Sequence, residues 1–215
     1  MTDSFEAKGL REKLVEGLRQ KGITDEEVLR AIRTVPRHLF MDPAFLHHAY
    51  ADKAFPIAAG QTISQPYTVA VMTSLLKVRK RDKILEIGTG SGYQAAILAE
   101  MGARVYTIER CRELYLKAQQ TIAGMGYNIH FFYGDGYEGK KEYGPYDGII
   151  ITAAAPEIPV KLLEQLKTGG RLVVPLGSGD VQIMTVAERT GQDSYDYSSH
   201  GTFVFVPMLR GTVNG

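Results

Sequence analysis

The run Ile84-Leu85-Glu86-Ile87, leading into Gly88-Thr89-Gly90-Ser91-Gly92, constrains the fold more than any other feature of this chain. Residues that suit a strand buried on both faces lead straight into three alternating glycines. Residues 93–101 then carry a helical pattern. A strand–turn–helix step of this kind opens a parallel sheet, because parallel neighbours need a long crossover connection. The alternation continues. Residues 104–108 read as strand, 112–125 as helix, 128–133 as strand, and 146–152 as a nearly unbroken apolar strand of the sort found in the middle of such a sheet. Residues 157–166 read as helix, Gly169-Gly170 as a turn and 171–175 as strand. Two last strands are expected at 182–187 and 202–206, with hairpin-type turns at Gly177-Ser178-Gly179-Asp180 and Thr190-Gly191-Gln192-Asp193. The expected architecture is α/β and doubly wound, with a mostly parallel sheet and right-handed crossovers.

The first third of the chain reads differently. Leu10, Leu14, Val15 and Leu18 recur at helical spacing until Gly22. Thr24 with Glu27 forms a capping-box pattern for a second helix, whose apolar side carries Val28, Leu29 and Ile32. Pro36 closes it, and residues 36–62 are irregular. Ser64 or Pro66 begins a further helix through Val69, Met72, Leu75 and Leu76. This divides the chain into an N-terminal helical extension, 1–76, and an α/β part with C-terminal strands, 77–215. At 215 residues and 44% hydrophobic, the chain has enough apolar matter for one core but not comfortably for two, so one domain over 1–215 is expected.

The formal net charge of +1 lacks the basic excess of a dedicated nucleic-acid binder. Lys77, Arg79, Lys80, Arg81 and Lys83 cluster locally and read as a solvated turn. The single cysteine, Cys111, can form no intrachain disulfide and reads as a small filler at a helix start. The first residues, Met1 to Glu6, are polar without an apolar signal core, and no apolar run approaches a membrane span. A cytoplasmic monomer without nucleic-acid or membrane partners is therefore expected.

The glycine spacing narrows the ligand. A dinucleotide fingerprint, Gly-x-Gly-x-x-Gly, would put its third glycine at position 93, which is Tyr93. Here the third glycine comes one residue early and an acid precedes the first. Glu86-x-Gly88-x-Gly90-x-Gly92 resembles motif I of the class I methyltransferases. Glu109 ends the second strand about twenty residues on, where a carboxylate can accept both hydroxyls of a ribose. Asp135, between Gly134 and Gly136, ends the third strand, where it could accept from an adenine amino group. Three strand ends, each with a suitable residue, point to S-adenosylmethionine.

The acceptor side is read from the segment after the fourth strand. Ile151-Thr152-Ala153-Ala154-Ala155-Pro156 lacks both the Asn/Asp-Pro-Pro-aromatic motif that holds amines and the metal-binding carboxylate of catechol-type enzymes. An Ala-rich wall without an evident base suits a carboxylate acceptor, which is already ionised at neutral pH. His38, His47, His48, His130 and His200 show no ligand or triad spacing and read as structural. No metal is expected. The segment Gly60-Gln61-Thr62-Ile63-Ser64-Gln65-Pro66-Tyr67 reads either as a simple helix start, with Ser64 as its cap, or as hydroxyl and backbone N–H groups that bind an anion.

Several of these pieces together resemble the protein-L-isoaspartate (D-aspartate) O-methyltransferase family. They are Gly60 to Tyr67, Leu85 to Tyr93, Gly134-Asp135-Gly136, Ile151 to Pro159 and Leu166 to Pro175. The Ser-x-Pro segment is the family's hallmark, and the resemblance covers nearly the whole chain. It implies a Rossmann-like methyltransferase sheet, Ser64 as the active-site residue, and an acceptor segment of Thr62, Ile63, Ser64, Gln65 and Pro66. It further implies cofactor contacts at Glu86, Gly88, Thr89, Gly90, Glu109, Asp135 and Gly136, with S-adenosyl-L-homocysteine as the product. The implied substrates are damaged proteins or peptides carrying L-isoaspartyl residues, methylated on the free carboxylate, and D-aspartyl residues besides. The ester then collapses to a succinimide that can reopen to aspartate. Bacterial members often carry Arg where this chain has Val204, so a substrate contact from that position is not carried over. A methyltransferase for a small carboxylate is the alternative. An NAD oxidoreductase is disfavoured by the glycine spacing, and a regulatory domain without catalysis by the intact Ser64 segment.

Overall fold

The fold is taken from a computed structural model that describes residues 3–214; Met1 and Thr2, where the polar N-terminal reading begins, lie outside it. Helix α1 (Phe5–Gln20) starts earlier than its apolar spacing suggests, because the Ser4 side chain caps it by accepting from Ala7 N at 3.1 Å. Helix α2 (Glu26–Thr34) is capped by Asp25, which accepts from the N–H groups of Glu27 and Val28. The expected Thr24 box is therefore displaced by one residue: an aspartate in extended backbone reaches the first-turn N–H groups itself. A two-stranded antiparallel hairpin comes next, β1 (Phe55–Pro56) with β2 (Thr62–Ile63). Helix α3 (Pro66–Leu76) begins with Pro66 in its first turn, but no side chain of its own caps it. Ser64 does not take the N-cap role.

From β3 (Lys83–Ile87) the alternation holds: α4 (Tyr93–Glu100), β4 (Arg104–Glu109), α5 (Arg112–Ala123), β5 (Ile129–Tyr133) and β6 (Tyr146–Ile151). After β6 come α6 (Val160–Leu163), β7 (Leu166–Leu176), β8 (Gln182–Arg189) and β9 (Tyr195–Phe203). The seven strands from β3 onward form one sheet in the order β5-β4-β3-β6-β7-β8-β9. The first five are mutually parallel, and β8 and β9 add antiparallel pairings. Two reversals bring β9 back to the direction of β3, so the end of β9 lies at the same rim as the glycine turn. The chain leaves β3 toward β4 on one side and leaves β6 toward β7 on the other. That switch point opens a crevice at the carboxyl ends of β3 and β6.

The strand period of two sorts the core onto the two faces of the sheet. Ile84, Ile150 and Val173 pack with the apolar residues of α1 to α4. Leu85, Ile87, Ile149, Ile151, Leu172 and Val174 pack on the other face with Leu162, Leu163, Tyr137 and Met208. Helices α3, α4 and α5 cover the first of these faces, and α1 and α2 pack on α3 and α4 from outside.

Two expected elements change. The helix expected at 157–166 is a single turn, α6. The backbone O of Gln165 accepts from Tyr146 N at 2.8 Å and Leu166 already pairs with Tyr146, so the sheet captures the chain early. The last strand lies at Tyr195–Phe203 rather than 202–206. It is a polar edge strand and carries no alternating apolar signal. Residues 204–213, apolar enough to mimic a strand, leave the sheet. They run over the strand ends as a strap, with Ala154 N donating to Val206 O at 2.8 Å and Val213 N to Arg110 O at 2.9 Å.

Candidate active site

A cavity of about 830 Å3 occupies the crevice. Its inner wall is the turn after β3. Gly88 has φ 92°, and a Cβ there would lie 2.7 Å from Thr152 Oγ1, which donates to the carbonyls of Ile87 and Gly88 at 3.0 and 2.7 Å. Glycine is required on both counts. Gly90 turns its N–H onto Glu109 Oε2 at 2.9 Å, and Cys111 N donates to Glu109 Oε1 at 2.8 Å. The Glu109 carboxylate is thus fixed by two backbone donors at the mouth of β4, with lone pairs remaining on each oxygen. Cys111 is buried at the start of α5.

Of the residues singled out in the sequence, Gly88, Thr89, Gly90, Glu109 and Gly136 line this end of the cavity, and Thr62, Ile63, Ser64 and Gln65 line the other. Three are not on the wall. Glu86 sits behind the glycine turn, fully buried, accepting from Thr107 Oγ1 at 2.5 Å; Thr107 Oγ1 in turn lies 2.6 Å from Thr89 Oγ1. The chain Glu86–Thr107–Thr89 therefore ends on the cavity wall, and Glu86 Oε1 has no partner. Burial pushes the Glu86 carboxyl up to about 8, against a lowering by the Thr107 hydrogen bond, with Glu109 raising it further. Asp135 is engaged by backbone: Tyr137 N donates to it at 2.9 Å and Gly211 N at 2.7 Å. It ties the strap down, while Gly136 reaches the wall. At Gly136 a Cβ would overlap Ile87 Cγ2, so only glycine fits. Pro66 lies behind Gln65 in the first turn of α3.

At the acceptor end the side-chain oxygens of Thr62 and Ser64 make no hydrogen bond within the protein among the described residues. The N–H of Tyr67, at the helix start where the anion-binding reading looks for donors, is taken by Asp52 Oδ1 at 2.8 Å. Pro66 has none to offer. Donors left near the start of α3 among the described residues include the hydroxyls of Thr62, Ser64 and Thr68 and the N–H groups of Ser64 and Gln65. Behind this wall Arg37 is fully buried, donates to the carbonyls of Ala49 and Lys53, and lies over the Tyr93 ring at 5.1 Å. Burial lowers its guanidinium to about 10, and it stays charged at neutral pH.

Sequence reasoning missed two parts of the wall. The end of β9 and the strap close the cavity from the far side, with Phe203 stacking on Tyr67 at 6.5 Å between ring centres. His200, read as structural, also lines the cavity; its Nε2 lies 2.8 Å from Ser198 Oγ. The signal for both was a glycine, Gly201 at φ 88°, where β9 carries an extra residue against β8. The other histidines lie elsewhere. His38 is buried with Nδ1 2.6 Å from Tyr50 OH, His48 stacks on Phe55, and His130 stacks on Tyr106. Among the described residues, no three of His, Cys, Asp or Glu gather to hold a metal ion, and no helix is long and apolar enough to cross a membrane.

A doubly wound sheet with a glycine turn at its switch point and a backbone-fixed carboxylate on the next strand end defines the class: a Rossmann-like methyltransferase. The family model for protein-L-isoaspartate(D-aspartate) O-methyltransferase (PCMT) matches residues 9–212, and the chain belongs to that family. A protein-L-isoaspartate O-methyltransferase of Christiangramia forsetii is 56% identical over 211 residues, covering 98% of this chain and 99% of its own. One of Cytophaga hutchinsonii is 54% identical over 209 residues, covering 97% and 95%. A Plasmodium falciparum chain described as a protein-L-isoaspartate O-methyltransferase, solved in complex with S-adenosyl-L-homocysteine, superposes with a TM-score of 0.82 at 25% identity, covering 93% and 98%.

Proposed function

We propose that this chain, as a single cytoplasmic domain acting as a monomer, transfers a methyl group from S-adenosylmethionine to the free carboxylate of L-isoaspartyl residues in damaged proteins, with the two ends of one cavity dividing the work. The observation that carries this reading is the shared wall: the fixed carboxylate of Glu109 and the open hydroxyl of Ser64 border the same 830 Å3 space. The residues present fit the cofactor. Glycines at 88 and 90 leave backbone exposed to a ligand, Glu109 would hold the ribose hydroxyls, and the chain from the unsatisfied Glu86 reaches the wall through Thr89. Bound there, S-adenosylmethionine supplies an electrophilic methyl group on a sulfonium.

The protein's own part is positioning. Ser64 Oγ, with the N–H groups of Ser64 and Gln65, orients the acceptor carboxylate, and the apolar wall of Ala153, Met208 and Phe203 strips its water. No proton leaves the acceptor, so no general base is required. The reading is tested by the pH profile of transfer to an isoaspartyl peptide at saturating cofactor, with a chelator present. Turnover is expected to stay level through neutral pH and to fall only below about pH 4 to 5, where the acceptor protonates. An inflection around neutral pH that His200→Gln abolishes would assign a base and overturn it, as would a requirement for a divalent metal. D-aspartyl residues, whose free β-carboxylate offers the same chemistry, are the second substrate this reading admits.

A further inference from the structure

Helix α3 lacks a cap of its own, and the group that completes it comes from another segment. Asp52 Oδ1 accepts from Tyr67 N at 2.8 Å, and the backbone O of Asp52 accepts from Gln65 Nε2 at 3.1 Å. Its other oxygen pairs with Lys21 Nζ at 2.6 Å, at the end of α1. Lys21 also lies 5.9 Å from the Tyr67 ring, whose other neighbour is Phe203. A continuous brace thus runs from α1 to β9 behind the acceptor wall, and its centre is one residue, Asp52, that meets Tyr67 through its carboxylate and Gln65 through its backbone O.

That placement has two consequences. A carboxylate at a helix N-terminus is stabilised by the dipole and satisfies an otherwise orphaned donor. Here it also fixes where Tyr67 stands, while the Asp52 backbone O holds Gln65, and Ser64 lies beside them. The same charge, however, lies just behind a wall that must admit a second carboxylate: Gln65 and Tyr67 line the acceptor cavity, whereas Asp52 and Lys21 open on a separate pocket beside α1. Lys21, half exposed while Asp52 is largely buried, neutralises it. We propose that Asp52, balanced by Lys21, is a positioning residue for the acceptor: it sets the Ser64–Tyr67 segment, and its pairing keeps the mouth from repelling the substrate's carboxylate. This rests on the assignment of residues 62–66 to the acceptor.

A charge-reversible cycle tests it. Asp52→Asn keeps an oxygen for Tyr67 N–H, Asp52→Ala does not, and Lys21→Met leaves the carboxylate unpaired. Lys21→Met should raise KM for an isoaspartyl peptide severalfold at low salt with kcat little changed, and 0.5 M salt should erase the difference, as roughly expected from screening. Lys21→Met/Asp52→Asn should return KM to within about twofold of wild type, since the charge that repelled is gone. Asp52→Ala should lower kcat and speed hydrogen exchange at the Tyr67 amide, while Asp52→Asn protects that amide and S-adenosylhomocysteine affinity stays level in all four. An unchanged KM in Lys21→Met, or a double variant no better than the single, would overturn the charge role. A Tyr67 amide equally protected in Asp52→Ala would overturn the positioning role. Faster Tyr67 exchange without any change in kinetics would instead overturn the acceptor assignment, so the two failures are distinguishable.

Discussion

The cofactor end of the cavity is made of sheet. Its residues stand at the tips of β3 and β4, glycines supply the turns, and Glu109 is held by main-chain N–H groups. The acceptor end is made of connections: a short hairpin, the start of α3 with its cap supplied from another segment, the end of an edge strand and the strap. There, side chains from distant segments do the fixing, Asp52 at one side and Phe203 at the other. A donor that is the same in every reaction can be met by a rigid backbone cradle. An acceptor that is one residue within varied polypeptides needs a wall assembled from loops over a scaffold. With the work divided in this way, each end can be damaged without the other.

Gly88→Ala should have the largest effect. The positive φ and the 2.7 Å approach to Thr152 would together cost roughly 2–4 kcal/mol of stability and remove S-adenosylhomocysteine binding in calorimetry. Retention of normal affinity would break the account of the cofactor end. Ser64→Ala makes the opposite cut: turnover on isoaspartyl peptide is expected to drop by roughly ten- to a thousandfold, with cofactor affinity unmoved. Unaltered kinetics, or a methylated Ser64 trapped in a single turnover, would contradict a positioning role. Glu109→Ala should weaken S-adenosylhomocysteine by about 1.5–3 kcal/mol, through loss of charge-assisted hydrogen bonds, and leave the acceptor KM where it was. Calorimetry that gives equal affinities would remove Glu109 from the site.

A last effect, on stability rather than on binding or turnover, concerns Glu86. Its folded-state pKa, about 8, lies above the ordinary 4.5, so the folded protein holds this proton more tightly. That contribution to stability is complete below pH 4.5 and is lost as pH rises toward 8. The cofactor-free protein should therefore melt at lower temperature at pH 8 than at pH 5 by a margin that Glu86→Gln removes. Parallel melting curves for the two proteins would show that burial does not govern this group.

How legible each end is in the sequence depends on how it is built. The tips of β3 and β4 announce themselves through local rules: apolar runs for buried strands, glycines where the backbone must turn, an acid at a fixed spacing. Their ranges can be read to within a residue or two. Ser64 is legible through its segment, not through its surroundings. Nothing local to residues 49–56 says that Asp52 will cap a helix that starts at Pro66, because the partner N–H lies on another element. The same holds for Asp135, whose strand-end position is clear but whose carboxylate goes to Gly211, a contact 76 residues away. The apolar stretch 203–208 misleads for a related reason: it lies over strand ends, with Met208 buried, Phe203, Phe205 and Val206 half-buried and Val204 exposed, and the pattern cannot distinguish this from pairing beside a strand.

The central claim, that one cavity holds a methyl donor against a damaged aspartyl carboxylate, is tested most directly by methyl transfer from tritiated S-adenosylmethionine to two peptides of one sequence. One carries L-isoaspartate and the other L-aspartate at the same position. Base-labile label should accumulate on the isoaspartyl peptide and stay at background on the aspartyl one. Equal labelling of both, or label on a small free carboxylic acid with none on either peptide, would contradict the account.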